Sequence, residues 1–342
     1  MADIVAPVAT FLLALAVLLA ASDVFVSAAE RVGLAFGVSP FIVGATVVAG
    51  GTSLPELVAS TLAAREGATE IVVGSVVGSN VANILLIVGL VAVIGRRLRI
   101  DRELMRVDLP LLVASAAFLA VAVWTGPFVW YEGLLGLVGL VVYVHFSLSE
   151  EQRLDEVVED IVAEHAGGGG PVEATPGDLT PDERSVDEAV AETTVGVRTA
   201  LALLGSVAVV IVAADALVGA ILGIATTLSI GAEFVAITAL ALGTSLPEIA
   251  VSVVAVRRGT VEIAVGNVLG SNVFNTFAVM SVPSFVAPIT VPESVRGYAL
   301  PVMVLATLLY YFVTQDREIT RWEGIALLLV YAAFLLNLGT VV

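Results

Sequence analysis

Residues Gly44–Asn83 and Ala236–Asn275 align without a gap at a constant offset of 192, and 22 of the 40 positions are identical. The segment GTSLPE stands at Gly51–Glu56 and again at Gly243–Glu248, and GSNVAN at Gly78–Asn83 is answered by GSNVFN at Gly270–Asn275. The same offset pairs Asp23 with Asp215, both in apolar surroundings. Self-similarity of this kind is not a product of chance. The chain of 342 residues is two copies of one unit, and its fold must set those copies against each other.

The solvent around the two copies follows from hydropathy. Hydrophobic residues make up 58% of the chain, charged residues only 14%, and mean hydropathy is +1.04, where a soluble domain carries about a quarter charged residues. Apolar runs such as Ile4–Ala21, Leu109–Val123, Leu134–Val144, Leu201–Val212 and Gly324–Leu338 have the length that a hydrocarbon layer of about 30 Å asks of a helix. The first run is expected to be the first span and not a secretory signal, because Met1–Pro7 has no positive flank and carries Asp3. Spans are expected over 4–27, 33–62, 70–94, 107–125 and 127–147, and again over 197–223, 231–255, 261–288, 298–314 and 322–341. An odd number of spans per copy makes the second copy enter from the opposite side. The expectation is an all-α membrane protein of about ten transmembrane helices in two inverted-topology five-helix repeats, an arrangement common among secondary transporters.

Charge orients and divides this chain. Net charge is -17, all fifteen basic residues are arginine, and fourteen acids against two arginines crowd 150–192. Five arginines fall in Arg96–Arg106, and Arg257, Arg258, Arg317 and Arg321 fall in loops on the same side, while the opposite loops hold only Arg65 and Arg296. The arginine-rich side is expected to be cytoplasmic, in a cell membrane, with both termini outside. Residues 1–147 form the first repeat, 148–196 an acidic cytoplasmic linker, largely disordered, and 197–342 the second repeat. No EF-hand spacing occurs among the linker acids. An acidic chain without lysine suggests a high-salt cytoplasm, where salt screens the repulsion between carboxylates, and a GC-rich genome is the other source of lysine depletion.

Glu56 and Glu248 interrupt otherwise apolar spans, and ionisable groups at membrane depth mark an ion path or a relay. Pro55 and Pro247 remove backbone donors, which leaves the carbonyls of Gly51 and Gly243 unpaired in the helix. Such a break is allowed in a membrane only where it lines a cavity or binds something. Thr52, Ser53, Thr244 and Ser245 add hydroxyl oxygens beside it. Hydroxyl, carbonyl and carboxylate oxygens packed together suit a hard cation such as Ca²⁺ or Na⁺. Ser79 and Asn83, like Ser271 and Asn275, are four apart and share a helix face. Asn80 and Asn272 fall one residue round, toward the backbone. Gly74 with Gly78 and Gly266 with Gly270 permit close helix approach.

GTSLPE paired with GSNxxN, twice and inverted, resembles the alpha repeats of the calcium/cation antiporter superfamily, in particular its prokaryotic sodium/calcium exchangers. The resemblance covers nearly the whole membrane portion. It implies a core of spans two, three, seven and eight that binds the ions, with spans one and six as a mobile gating bundle. By the same resemblance the cation ligands are Glu56, Glu248, Ser53, Ser245, Ser79 and Ser271, with Thr52, Thr244, the carbonyls of Ala49 and Ala241, and Asn83 and Asn275. Several members, potassium-dependent ones among them, carry aspartate where Asn275 stands. Two carboxylates instead of three argue against potassium co-transport.

The function so implied is antiport of Na⁺ for Ca²⁺ by alternating access, exporting Ca²⁺ electrogenically, with exchange of protons for Ca²⁺ or another cation as the alternative. Na⁺, Ca²⁺ and the lipid bilayer are the expected partners, and neither a cofactor nor a nucleic acid is expected. Asp23 and Asp215 are read as groups for gating or access near the ends of spans one and six, or as interfacial acids with water access. An intramembrane enzyme does not fit. The chain has no cysteine and no H-E-x-x-H motif, and His145 and His165 lie away from the repeats.

Overall fold

The computed structural model describes residues 2–100, 102–167, 196–227 and 245–341. In chain order the helices are α1 (Ala2–Phe36), α2 (Pro40–Arg65), α3 (Thr69–Gly95), α4 (Arg102–Ala122), α5 (Trp130–Gly167), α6 (Val197–Thr227), α7 (Leu246–Arg258), α8 (Val261–Ser284), α9 (Val295–Asp316) and α10 (Arg321–Val341). Each expected span coincides with one of them. Eight helices among the described residues are long and apolar enough to cross a membrane, and Asp108–Ala122 is a shorter apolar stretch within α4. The remaining helix, α7, is described only from Leu246, and the rest of its expected span lies outside the described residues.

Local chemistry sets the boundaries that matter for the site. α1 ends at Gly37, whose φ of +65° permits the reversal and whose neighbour Val38 donates its N–H to the Gly33 carbonyl at 2.8 Å. Ser39 caps α2 by accepting the Ile42 N–H at 3.4 Å, ahead of Pro40 in the first turn. α2 and α7 end on Gly67 and Gly259, related by the repeat offset, with φ of +81° and +86°.

The repeat is visible outside the motifs too. Strands β1 (Arg97–Arg99) and β2 (Glu318–Thr320) pair antiparallel, Arg97 opposite Thr320, and join the turn after α3 to the turn before α10. A second bridge joins Phe128 to Ile289, between the α4–α5 and α8–α9 connections, with mutual bonds of 2.9 and 2.8 Å. Adding 192 to Arg97 gives Ile289, and adding 192 to Phe128 gives Thr320. One contact is therefore the repeat image of the other. Counting crossings from α1 puts the two at opposite ends of the bundle, as inverted halves require.

α8 lies deepest, 94% of its span window being buried, against 72% for α3, 56% for α2 and 17% for α1. Its Gly266 and Gly270 lie against the backbone of Phe41, Gly44 and Ala45 in α2, where a Cβ would collide with carbonyl groups. The expected close approach is thus seen in this half. The repeat places the segment facing Gly74 and Gly78 at 233–237, outside the described residues. α1 and α6 pack on each other through an apolar cluster (Ala14, Leu18, Ala21, Ala213, Ala214 and Leu217) that also takes in Ala250 of α7.

Two helices overrun their expected ends. α1 continues to Phe36 and α5 to Gly167, into the acidic segment assigned to the linker. Charged residues mark where an apolar span ends, but a helix satisfies its own backbone in water as well as in lipid. Asp23 lies within the length of α1, and Asp215 within α6, two residues before the end of its apolar stretch Val197–Leu217.

Candidate functional site

The break in α2 has three parts. A π-helical turn over Gly44–Val48 leads into a short α turn, Ala49–Thr52, and the chain then bends at Ser53 with φ −86° and ψ 3°. The helix restarts at Leu54 with Pro55 in its first turn, where a missing N–H costs nothing. In the second repeat Ser245 has φ −87° and ψ 2°, and Pro247 takes the equivalent place. Matching dihedrals at Ser53 and Ser245 show one local solution used twice.

Glu56 and Glu248 both fall in the first turn of the restarted helix. Free backbone N–H groups and the positive end of the helix dipole face a carboxylate there, so the break also favours the charge it carries. Each glutamate is 1% exposed. The two motifs meet directly, because Ser53 Oγ donates to Glu248 Oε1 at 3.2 Å, across the repeats. From the facing helices, Asn80 Nδ2 donates to the Asn272 carbonyl at 3.4 Å and to Thr276 Oγ1 at 3.0 Å, and Asn272 Nδ2 donates to the Val268 carbonyl at 3.0 Å. These two asparagines hold backbone and neighbours, as their position on the helix implied.

Ser79, Asn83, Ser271 and Asn275 are buried. Among the described residues, both polar side-chain atoms of Asn83 and of Asn275, together with Ser245 Oγ and Glu248 Oε2, have no hydrogen-bond partner. Burying a polar group without a partner costs several kcal/mol, about 2–7 for an amide or hydroxyl. Native proteins seldom carry several at one place unless the place serves a polar ligand. These atoms come from both repeats, and oxygens predominate among them. Within the described residues no group of three or more His, Cys, Asp or Glu side chains gathers, so the acidic part of the site rests on two glutamates.

The other expected residues divide. Thr52 is buried, and its Oγ1 lies 3.3 Å from the Ala49 carbonyl and 3.2 Å from Asn267 Oδ1. The Ala49 carbonyl also accepts the Ser53 N–H at 3.0 Å. Ala241 and Thr244 lie outside the described residues. Asp23 and Asp215 are exposed, and Asp23 Oδ1 pairs with Arg258 Nε at 3.2 Å, beside a 3.8 Å contact between Arg258 Nη1 and Glu30 Oε2. Sequence reasoning passed over Asn267 and Ser252. Ser252 lies four residues after Glu248 and Asn267 four before Ser271, so helical spacing from the motifs was the signal that could have found them.

Comparison with known proteins points to one family. The sequence pattern of the family described as "Sodium/calcium exchanger protein" matches residues 6–149 and 198–339, the two repeats without the acidic segment between them. The chain is 32% identical to the sodium/calcium exchanger MaX1 of Methanosarcina acetivorans over 96% of its length and 97% of that protein. It is 29% identical to the inner membrane protein YrbG of Escherichia coli over 94% of its length and 93% of that protein. A solved structure of the sodium-calcium exchanger NCX_Mj superposes with a TM-score of 0.76 at 29% identity, covering 97% of this chain and 98% of that one.

Proposed function

Because the chain belongs to the sodium/calcium exchanger protein family, we propose that it exchanges Na⁺ for Ca²⁺ across a cell membrane by alternating access at Glu56 and Glu248. The observation that carries this reading is the hydrogen bond from Ser53 of one repeat to the buried Glu248 of the other, with further buried polar side-chain atoms left unpartnered on both repeats among the described residues. Two carboxylates supply the charge that one Ca²⁺ neutralises. Ca²⁺ takes six to eight oxygens at about 2.3–2.6 Å. Two bidentate carboxylates give four, and the Ala49 and Ala241 carbonyls with water complete the set. Na⁺ ions instead spread over the same carboxylates and the hydroxyls of Thr52, Thr244, Ser53, Ser245, Ser79 and Ser271, with Asn83 and Asn275 beside them. Shared ligands keep the two cations from filling the site together, and that competition couples their movements without a separate device.

Direction and charge follow from the same arithmetic. Three Na⁺ for one Ca²⁺ moves one net charge per cycle, so a membrane potential drives Ca²⁺ outward with about 2.3 kcal/mol per charge per 100 mV. The arginine-rich end, with β1 and β2, faces the cytoplasm, both termini face outward, and 148–196 ties the halves on the cytoplasmic side. The moving part is α1 with α6, which pack on each other through Ala14, Leu18, Ala213 and Ala214 and reach α7 at Ala250. The lysine-free, acidic composition fits a prokaryote that keeps a salty cytoplasm.

Purified protein in liposomes tests the counter-ion. With pH clamped on both sides, an outward Na⁺ gradient is expected to drive ⁴⁵Ca uptake, and a positive-inside potential to strengthen it. Uptake that follows a pH gradient and ignores Na⁺ would instead make the protein a proton/Ca²⁺ antiporter, in which a buried glutamate takes the proton.

A further inference from the structure

Asn267 breaks the repeat, for its counterpart at the offset of 192 is Ser75. It is fully buried on α8, and its carboxamide has a definite polarity. Asn267 Nδ2 donates to Ser252 Oγ at 2.9 Å and lies 3.5 Å from the Glu248 carbonyl oxygen. A carbonyl can only accept, so the nitrogen end must face it. The oxygen end then faces the cation side, where Thr52 Oγ1 stands at 3.2 Å and Ser271 Oγ at 3.5 Å.

The consequence lies in where two hydroxyl protons go. A hydroxyl ligates a cation through its lone pairs, so its single proton must point elsewhere. Thr52 has two acceptors within reach, the Ala49 carbonyl at 3.3 Å and Asn267 Oδ1 at 3.2 Å. If the proton turns to Ala49, that carbonyl, which already accepts the Ser53 N–H at 3.0 Å, has both lone pairs occupied. If it turns to Asn267, the Thr52 oxygen keeps its lone pairs and the Ala49 carbonyl keeps one as well. Ser271 gains the same outlet on its own helix.

We propose that Asn267 is a positioning residue that draws the hydroxyl protons of Thr52 and Ser271 onto its carboxamide oxygen, so that both hydroxyls and the Ala49 carbonyl present lone pairs to the transported cation. This rests on the reading of Glu56 and Glu248 as the cation site. Ser75, with a shorter reach, holds the equivalent place in the first repeat, so the two halves of the site are not chemically equal. Of the three oxygens so presented, two are the hydroxyls assigned to Na⁺. Losing Asn267 therefore weakens Na⁺ more than Ca²⁺.

The experiment is Na⁺ and Ca²⁺ half-saturation in proteoliposomes for Asn267→Leu, Asn267→Asp and Asn267→Ser, with thermal stability as the folding control. Asn267→Leu keeps the branching of the side chain and removes the acceptor, and is expected to raise the Na⁺ half-saturation by about tenfold, the worth of one hydrogen bond, with a smaller shift for Ca²⁺. Asn267→Asp, buried and therefore protonated, keeps an acceptor oxygen toward Thr52 and an O–H toward the Glu248 carbonyl, and is expected to restore most of the Na⁺ affinity, which a purely structural loss would not allow. If Asn267→Leu does not fold, Asn267→Ser carries the test, since serine is already accommodated in the first repeat, and weakened Na⁺ affinity is expected there too. In the background Thr52→Val, Asn267→Leu is expected to cost much less than it does alone. Equal shifts in the leucine and aspartate variants, wild-type Na⁺ affinity in the serine variant, or full additivity with Thr52→Val would overturn the proposal. Glu248→Gln in the same vesicles separates the two readings. If it still exchanges, the site reading fails; if it is inactive while Asn267→Leu behaves as wild type, only the role of Asn267 fails.

Discussion

At Asn275 an amide stands where several members of the resembled superfamily carry aspartate, and its two polar atoms are buried without partners among the described residues. Asn275→Asp would bring a third carboxylate to a site that now has two. Coulomb attraction at low effective dielectric makes the expected gain in Ca²⁺ half-saturation about tenfold or more. A variant with unchanged affinity and unchanged Na⁺ to Ca²⁺ ratio would show that Asn275 is not a ligand. Glu56→Gln and Glu248→Gln go the other way, keeping shape and removing charge, and are expected to cut Ca²⁺ uptake by about a hundredfold or more while the protein still purifies as a folded species. These residues were legible in the sequence because polar groups at membrane depth stand out against apolar spans and recur at one offset. Asn267 did not stand out, because its repeat partner is a different residue and its contact with Thr52 spans 215 positions. Only the packing of α8 against α2 brings that pair together.

Between the elements, α1 and α7 share one polar tie among the described residues. Arg258 reaches Asp23 through its side chain and through the Asp23 carbonyl, both at 3.2 Å, and comes within 3.8 Å of Glu30. The two acids are seven residues apart and so lie on one face of α1. At the repeat-related position Glu66 replaces Arg258, so the other end of the bundle has no such arginine to set against Asp215. Partly exposed pairs of this kind contribute about 0–1 kcal/mol and weaken with salt. If α1 and α6 move against the core, the tie must loosen in each cycle. Arg258→Gln is then expected to speed exchange by up to about fivefold at low ionic strength and to leave the ion half-saturation constants alone. Initial rates at low and high choline chloride check this, and a rate insensitive to the substitution at low salt would remove Arg258 from the cycle. Neither partner was paired from sequence, where Asp23 read only as a gating or access group or as an interfacial acid.

For the whole molecule, the strongest constraint is that one chain must present two like surfaces to opposite sides of a membrane. Hydropathy and the repeat together made the ten spans and their inversion legible, since an odd number of crossings per copy leaves no other arrangement. The reach of α1 to Phe36 and of α5 to Gly167 was not legible, because helices outlast the apolar residues that reveal them. Nor were β1 and β2, in which only Leu98 and Ile319 are buried and the alternation is too short to rise above loop sequence. Their repeat image, Phe128 with Ile289, provides the test of inversion. The chain contains no cysteine, so single substitutions report position without a background. Arg97, whose side chain is 70% exposed, stands at the β1–β2 end, and Glu293 is exposed beside the other bridge. In intact cells, Glu293→Cys is expected to react with a membrane-impermeant maleimide and Arg97→Cys only after the membrane is opened. Labelling of both from outside would break the inversion, whereas a swapped pattern would keep it and reverse the proposed orientation. The arginine-rich loops and the pairing of Arg97 with the strand that leads into α10 lie at one end of the bundle and Glu293 at the other, so the two cysteines must differ if the halves are inverted.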